Sequence, residues 1–155
     1  MGRRHLSAAA TLVAFAVASA TPASAGIAWR VLADGAAAGA TGSSTTAAVA
    51  FDRAAASRLA ARLPVAGARA VRGVDLSRSG VVAIFGEFGC RDHRIGVARI
   101  VRRGTVLAVT LVERALAPGT AECMAIFPTY RVLAVDESAV GRPFPTRATV
   151  SVARA

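Results

Sequence analysis

Gly80-Val81-Val82-Ala83-Ile84-Phe85-Gly86 is a short, unbroken apolar run closed by glycine at both ends. A run of this length with that punctuation predicts a buried strand. Downstream, Arg94 to Val101 and Thr105 to Val112 flank Arg102-Arg103-Gly104, which predicts a hairpin. Leu107, Val109 and Leu111 alternate with Val106, Ala108 and Val112, so the second arm is apolar on both faces and is expected to be central in its sheet. Pro118-Gly119 marks a turn. Cys123 to Phe127 and Tyr130 to Val135 read as two further strands around Pro128. The Pro-rich stretch Gly141 to Pro145 then leads into a last strand, Ala148 to Val152.

Upstream of the run, Val65 to Ser79 is mixed and turn-prone. Asp52 is placed to N-cap a helix over Arg53 to Leu63, because its carboxylate can accept from the free amides of the first turn. Ala55, Ala56, Leu59 and Leu63 fall at helical spacing for one buried face, and Arg58 and Arg62 share an exposed side. Pro64 stops that helix. Ala47 to Phe51 is a short strand candidate, and Asp34 to Thr46, rich in Gly, Ala, Ser and Thr, reads as a loop. Ile27, Trp29 and Val31 would share one face of a strand over Ile27 to Leu32. The expected fold is mainly β, an antiparallel, sandwich-like arrangement with one helix near its start, with α+β as the alternative. No βαβ alternation, internal repeat or dividing linker is present.

The first 25 residues read differently. Met1-Gly2-Arg3-Arg4-His5 is a positive start, Leu6 to Ala20 is small and apolar, and Thr21-Pro22-Ala23-Ser24-Ala25-Gly26 offers small residues for a signal peptidase. Cleavage is expected between Ala25 and Gly26. Leu6 to Ala20 is 15 residues, about 22 Å of helix, too short for a hydrocarbon core of roughly 30 Å. The expectation is therefore an exported chain with no stable membrane span after cleavage, and residues 26–155 as one secreted domain. Arg3-Arg4 leaves general and twin-arginine export both open.

Residues 26–155 hold 17 arginines, no lysine and nine acidic residues, a formal charge of +8. Such a balance suits an anionic envelope polymer or lipid surface; an alanine- and arginine-rich proteome would give the same excess with no binding role. Nucleic acid fits poorly, since the arginines are scattered and few aromatics are available to stack on bases. Cys90 and Cys123 are the only cysteines, and in an oxidising compartment an isolated pair most simply forms one disulfide.

Catalytic constellations are thin. His93 is the only histidine after residue 25, so no two-histidine metal motif exists there. Cys90, Asp92 and His93 look superficially like metal ligands, but a structural zinc wants four and exported cysteines oxidise. A Cys90–His93 nucleophile pair would be disarmed by the same oxidation. No Gly-x-Ser-x-Gly elbow occurs. The acidic pairs Glu87 with Asp92 and Glu113 with Glu122 are by default surface acids. No cofactor is expected, nor an enzyme. What remains is the loop Gly86 to Arg94, with Glu87, Phe88, Arg91, Asp92, His93 and Arg94 as candidate binding residues. A disulfide at its centre would lower the entropy cost of presenting it to a protein partner. A solvated loop with no partner is the plain alternative.

Several segments occur here in a characteristic order: an early Trp-containing strand, a short helix, then Val74-Asp75-Leu76-Ser77 leading into Val81 to Phe85. Gly86-Glu87, the strand Thr105 to Glu113, Pro118-Gly119, and Phe127-Pro128-Thr129-Tyr130 before Arg131 to Val135 follow. In this order, over about residues 27–135, the chain resembles the C-terminal domain of the protease complex subunit PrcB family. The resemblance implies an exported, non-catalytic domain that associates with a protease. Family members follow Gly-Glu with a Thr-Gly-Gly-Tyr loop; this chain has Cys90-Arg91-Asp92-His93, so only Gly86 and Glu87 carry over. The Thr-Thr-Gly-Tyr loop of chagasin-like cysteine-protease inhibitors is absent too.

Overall fold

The computed structural model describes residues 26–37, 44–89, 95–113 and 126–154. The chain is mainly β. In order it forms β1 (Trp29–Ala36), β2 (Thr46–Ala50), α1 (Arg53–Ala60), α2 (Val65–Arg72) and β3 (Ser79–Gly89). Then follow β4 (Ile95–Arg103), β5 (Val106–Glu113), β6 (Ile126–Asp136), α3 (Glu137–Val140) and β7 (Arg147–Arg154). Four strands pair antiparallel in the order β1-β6-β3-β2, and three make a second sheet in the order β4-β5-β7. β4 and β5 are antiparallel, whereas β5 and β7 run parallel.

The apolar run lies in β3, and its period of two explains the layering. Val81, Ala83 and Phe85 point toward α1 and α2, where they meet Ala56, Leu59, Leu63, Ala68 and Val71, with Tyr130 and Val132 of β6 beside them. Val82 and Ile84 point the other way, onto Ile100, Leu107, Val109 and Leu111 of the smaller sheet. The four-stranded sheet is thus the middle of three layers. Both faces of its central strands are dry, which is why β3 shows no polar alternation.

Asp52 caps α1 as its position predicts: its carboxylate accepts from the Ala55 amide at 2.7 Å, worth about 1 kcal/mol. The helix proper ends at Ala60, short of Leu63, and the chain tightens into turns in which Arg62 N–H donates to Leu59 O and Leu63 N–H to Ala60 O. Pro64 stops α1 but also opens a second helix, since its fixed φ of −55° suits the entry and its carbonyl accepts from Ala68 N–H at 2.8 Å. The turn-prone reading of Val65 to Ser79 therefore fails over Val65–Arg72, and the single expected helix is replaced by three short ones among the described residues. Gly67 lowers the intrinsic helix propensity of this stretch. It sits in α2 because a Cβ there would approach Tyr130 Cε2 to 2.7 Å. Gly80 has a similar role, with Phe51 where its Cβ would be.

Other boundaries shift for visible reasons. β1 begins two residues later than expected and continues to Ala36. A register slip between Val31 and Ala33 leaves Val31 exposed while Leu32 and Ala33 pack inward. Ile27 is buried ahead of the strand, its N–H donating to Ile100 O at 2.8 Å. The two strands expected around Pro128 are one, β6, with Pro128 opposite Glu87. The hairpin turns at Gly104, whose φ of +60° is the left-handed conformation. β5 is central as expected; Leu107, Val109 and Leu111 are buried, while Val106, Ala108 and Val112 are half-buried.

Candidate functional site

The stretch expected to form the recognition loop begins as strand. Gly86, Glu87, Phe88 and Gly89 pair with Thr129, Pro128, Phe127 and Ile126 of β6. Gly86 is buried, and its carbonyl also accepts from the Thr129 hydroxyl at 3.3 Å. Cys90, Arg91, Asp92, His93, Arg94 and Cys123 lie outside the described residues, as does Ala25. Gly26 is described and exposed.

The described ends fix where these residues attach. Cys90 follows Gly89 by one residue and Cys123 precedes Ile126 by three, and Gly89 and Ile126 are paired. Ala37 donates to Pro128 O at 2.8 Å, so β1 also ends beside the start of β6. The segments 38–43, 90–94 and 114–125 consequently depart from Ala37, Gly89 and Glu113 and rejoin at Ser44, Ile95 and Ile126. Ile95 pairs with Glu113, and a five-residue link spans at most about 20 Å. All three segments therefore join the body near the Gly89–Ile126 end.

A second feature is the outer face of the helix layer. Arg53, Arg58, Arg62, Arg69 and Arg72 are all exposed. The one acid between Asp52 and Gly73 is Asp52 itself, occupied at the cap. Arg62 stacks its guanidinium over the Phe85 ring at 4.9 Å. Val65, at the corner between the helices, is 77% exposed. Sequence reading missed two of these five arginines, Arg69 and Arg72, because they lie on the unexpected α2. Their spacing relative to the buried Ala68 and Val71 was the available signal.

A third feature is an open cavity of about 450 Å³ lined by Ser77, Arg78, Asp136, Glu137, Arg142 and Phe144. Most of its charges are committed to one another, although Glu137 Oε2 is buried without a hydrogen-bond partner among the described residues. Arg142 meets Glu137 Oε1 at 2.9 Å and lies over the Phe144 ring, which in turn stacks on Phe51. The Ser138 hydroxyl and amide donate to Asp136 at 2.7 and 2.8 Å and hold its carboxyl below the usual aspartate range. Ser77 does the same for Asp75, which lines a neighbouring concavity with Arg53 and Arg72. Both carboxyls stay ionised near neutral pH, which suits them to turn stabilisation rather than proton donation.

Nearby, Arg102 of β4 donates four hydrogen bonds to backbone oxygens: Gly104, Val140, Gly141 and Pro143, at 2.7–2.8 Å. This guanidinium fixes the hairpin turn to the segment entering β7 and is spoken for. Among the described residues no group of three His, Cys, Asp or Glu is placed to hold a metal ion, and no helix is long and apolar enough to cross a membrane. Neither protein-family models nor curated proteins nor solved structures give a match to the chain.

Proposed function

We propose that the chain is exported, is cut after Ala25, and works outside the cytoplasm as a non-catalytic binding domain that presents the 86–94 segment to a protein partner. The pairing of Gly89 with Ile126 carries this reading. It anchors the segment directly on the two central strands of the middle sheet, and a fixed base lowers the entropy lost on binding. Cys90 follows Gly89 by one residue and Cys123 precedes Ile126 by three, and a disulfide between them would tie the 90–94 segment to the one entering β6. The resemblance to the PrcB family makes a protease the first partner to test.

The proposed cut lies at the other end of the domain. Ile27, two residues after Ala25, is buried and its amide donates to Ile100 O of β4, so the chain is engaged in the fold from the second residue of the cut form. Affinity capture from culture filtrate, with wild type and an Asp92→Ala/His93→Ala variant as baits, tests the contact. The wild type should retain a partner that the variant loses. Identical partner sets for the two baits would reject the segment as the contact.

A further inference from the structure

The arginines of the helix layer are asymmetric in a way that composition alone does not require. Five arginines project from α1, α2 and the turn between them, against one acid that is engaged by the Ala55 amide. Acids elsewhere sit beside arginines: Asp34 faces Arg131, Asp75 faces Arg78 and Glu137 faces Arg142. Arg53, Arg58, Arg69 and Arg72 have no such partner among the described residues. Uncompensated like charges on one layer repel one another, and an anionic surface relieves that repulsion.

The geometry narrows the choice of surface. Arg58 lies on the face of α1 opposite the buried Ala56 and Ala60, and the exposed Arg62 follows in the turn just after the helix. On α2, Val65 and Arg69 are one turn apart, with Ala66 exposed beside them. The corner between the helices therefore presents an apolar tip, Val65, flanked in sequence by Arg62 and Arg69. Guanidinium forks match phosphate oxygens. A phosphate polymer would engage the arginines and leave Val65 in water; a bilayer takes both, phosphates at headgroup level and the valine at the acyl boundary.

We propose that the outer face of the α1–α2 layer docks on an anionic phospholipid surface, with Arg58, Arg62 and Arg69 on the lipid phosphates and Val65 inserted at the interface. This is independent of the 86–94 segment.

The test is co-sedimentation of the purified protein, in the form recovered from its producing cells, with vesicles of phosphatidylcholine alone or mixed with phosphatidylglycerol. Binding should require phosphatidylglycerol and weaken as salt rises. Each basic side chain near such a surface contributes a factor of about five, so Arg58→Glu/Arg69→Glu should weaken binding at least 25-fold, about the square of that factor. Val65→Ser should weaken it several-fold. Arg103→Glu/Arg147→Glu, an equal charge change on exposed positions of the smaller sheet, should have much less effect. Equal losses from the two arginine pairs would reduce the attraction to overall charge and overturn the proposal. So would full displacement by soluble polyphosphate together with an unaffected Val65→Ser variant, which would make the ligand a soluble polyanion.

Discussion

Gly89 stands opposite Ile126 at the last described rung of the β3–β6 ladder. Beyond that rung the chain reaches one cysteine after a single residue and the other after three. A bond between Cys90 and Cys123 would close a loop containing all of β4 and β5, and so would constrain the unfolded chain strongly. Cys90→Ser or Cys123→Ser should therefore lower the unfolding free energy of the oxidised protein by about 3–4 kcal/mol. Reductant should destabilise the wild type by a similar amount and leave both variants unchanged, as read from urea unfolding.

Arg102 offers a test of the smaller sheet. Its guanidinium supplies four donors to carbonyls on either side of the β4–β5 turn and the 140–143 segment. Arg102→Ala leaves part-buried carbonyls without a donor and should cost about 1–3 kcal/mol. Arg102→Lys should recover little, because one ammonium cannot span acceptors that the planar fork reaches from three nitrogens. The urea midpoint should fall while the slope of the transition is unchanged.

Gly67 sets two effects of opposite sign against each other. Alanine in a helix is favoured over glycine by about 1 kcal/mol. Here its methyl would meet the Tyr130 ring at 2.7 Å, and such overpacking costs about 1–3 kcal/mol. Gly67→Ala should thus be destabilising, and Tyr130→Leu in the same background should recover part of the loss. A simple gain in melting temperature for Gly67→Ala would mean that α2 does not pack on Tyr130.

Acid sensitivity should trace to Asp75 and Asp136. Hydrogen bonds from Ser77 and Ser138 hold their folded values below the ordinary 3.8. The stability they add is therefore complete above that value and is lost as pH falls through the lower folded values. The urea midpoint should hold from neutral pH down to this range and then drop. Ser77→Ala/Ser138→Ala should lower the neutral plateau and flatten the drop below it.

The legible parts of the fold were those governed by local chemistry. The glycine-bounded run Gly80 to Gly86 announced the buried strand, Asp52 announced α1, and Gly104 closed the hairpin its neighbours implied. The missed helix α2 shows the limit. Val65 to Ser79 reads as mixed and turn-prone, and the need for Gly67 within a helix shows only once Tyr130, sixty-three residues on, is seen to take the space. The parallel pairing of β5 with β7 was also beyond reach, because a strand's direction depends on the path through β6 and α3 rather than on its own residues. For the site, the chemistry of the Gly86 to Arg94 stretch was visible but the extent of the strand within it was not. Pairing as far as Gly89 depends on β6 continuing through Pro128. The arginine face was legible only through Arg58 and Arg62, because Arg69 and Arg72 ride on α2.

The central claim is that an exported, oxidised domain offers the 86–94 segment from a fixed base. An intact-mass measurement on protein recovered from the culture medium tests it most directly. The account predicts a chain beginning at Gly26 and lighter by two hydrogens than its reduced form, with no thiol labelled before reductant is added. A chain retaining residues 1–25, found in the cytosol with both cysteines freely labelled, would contradict it.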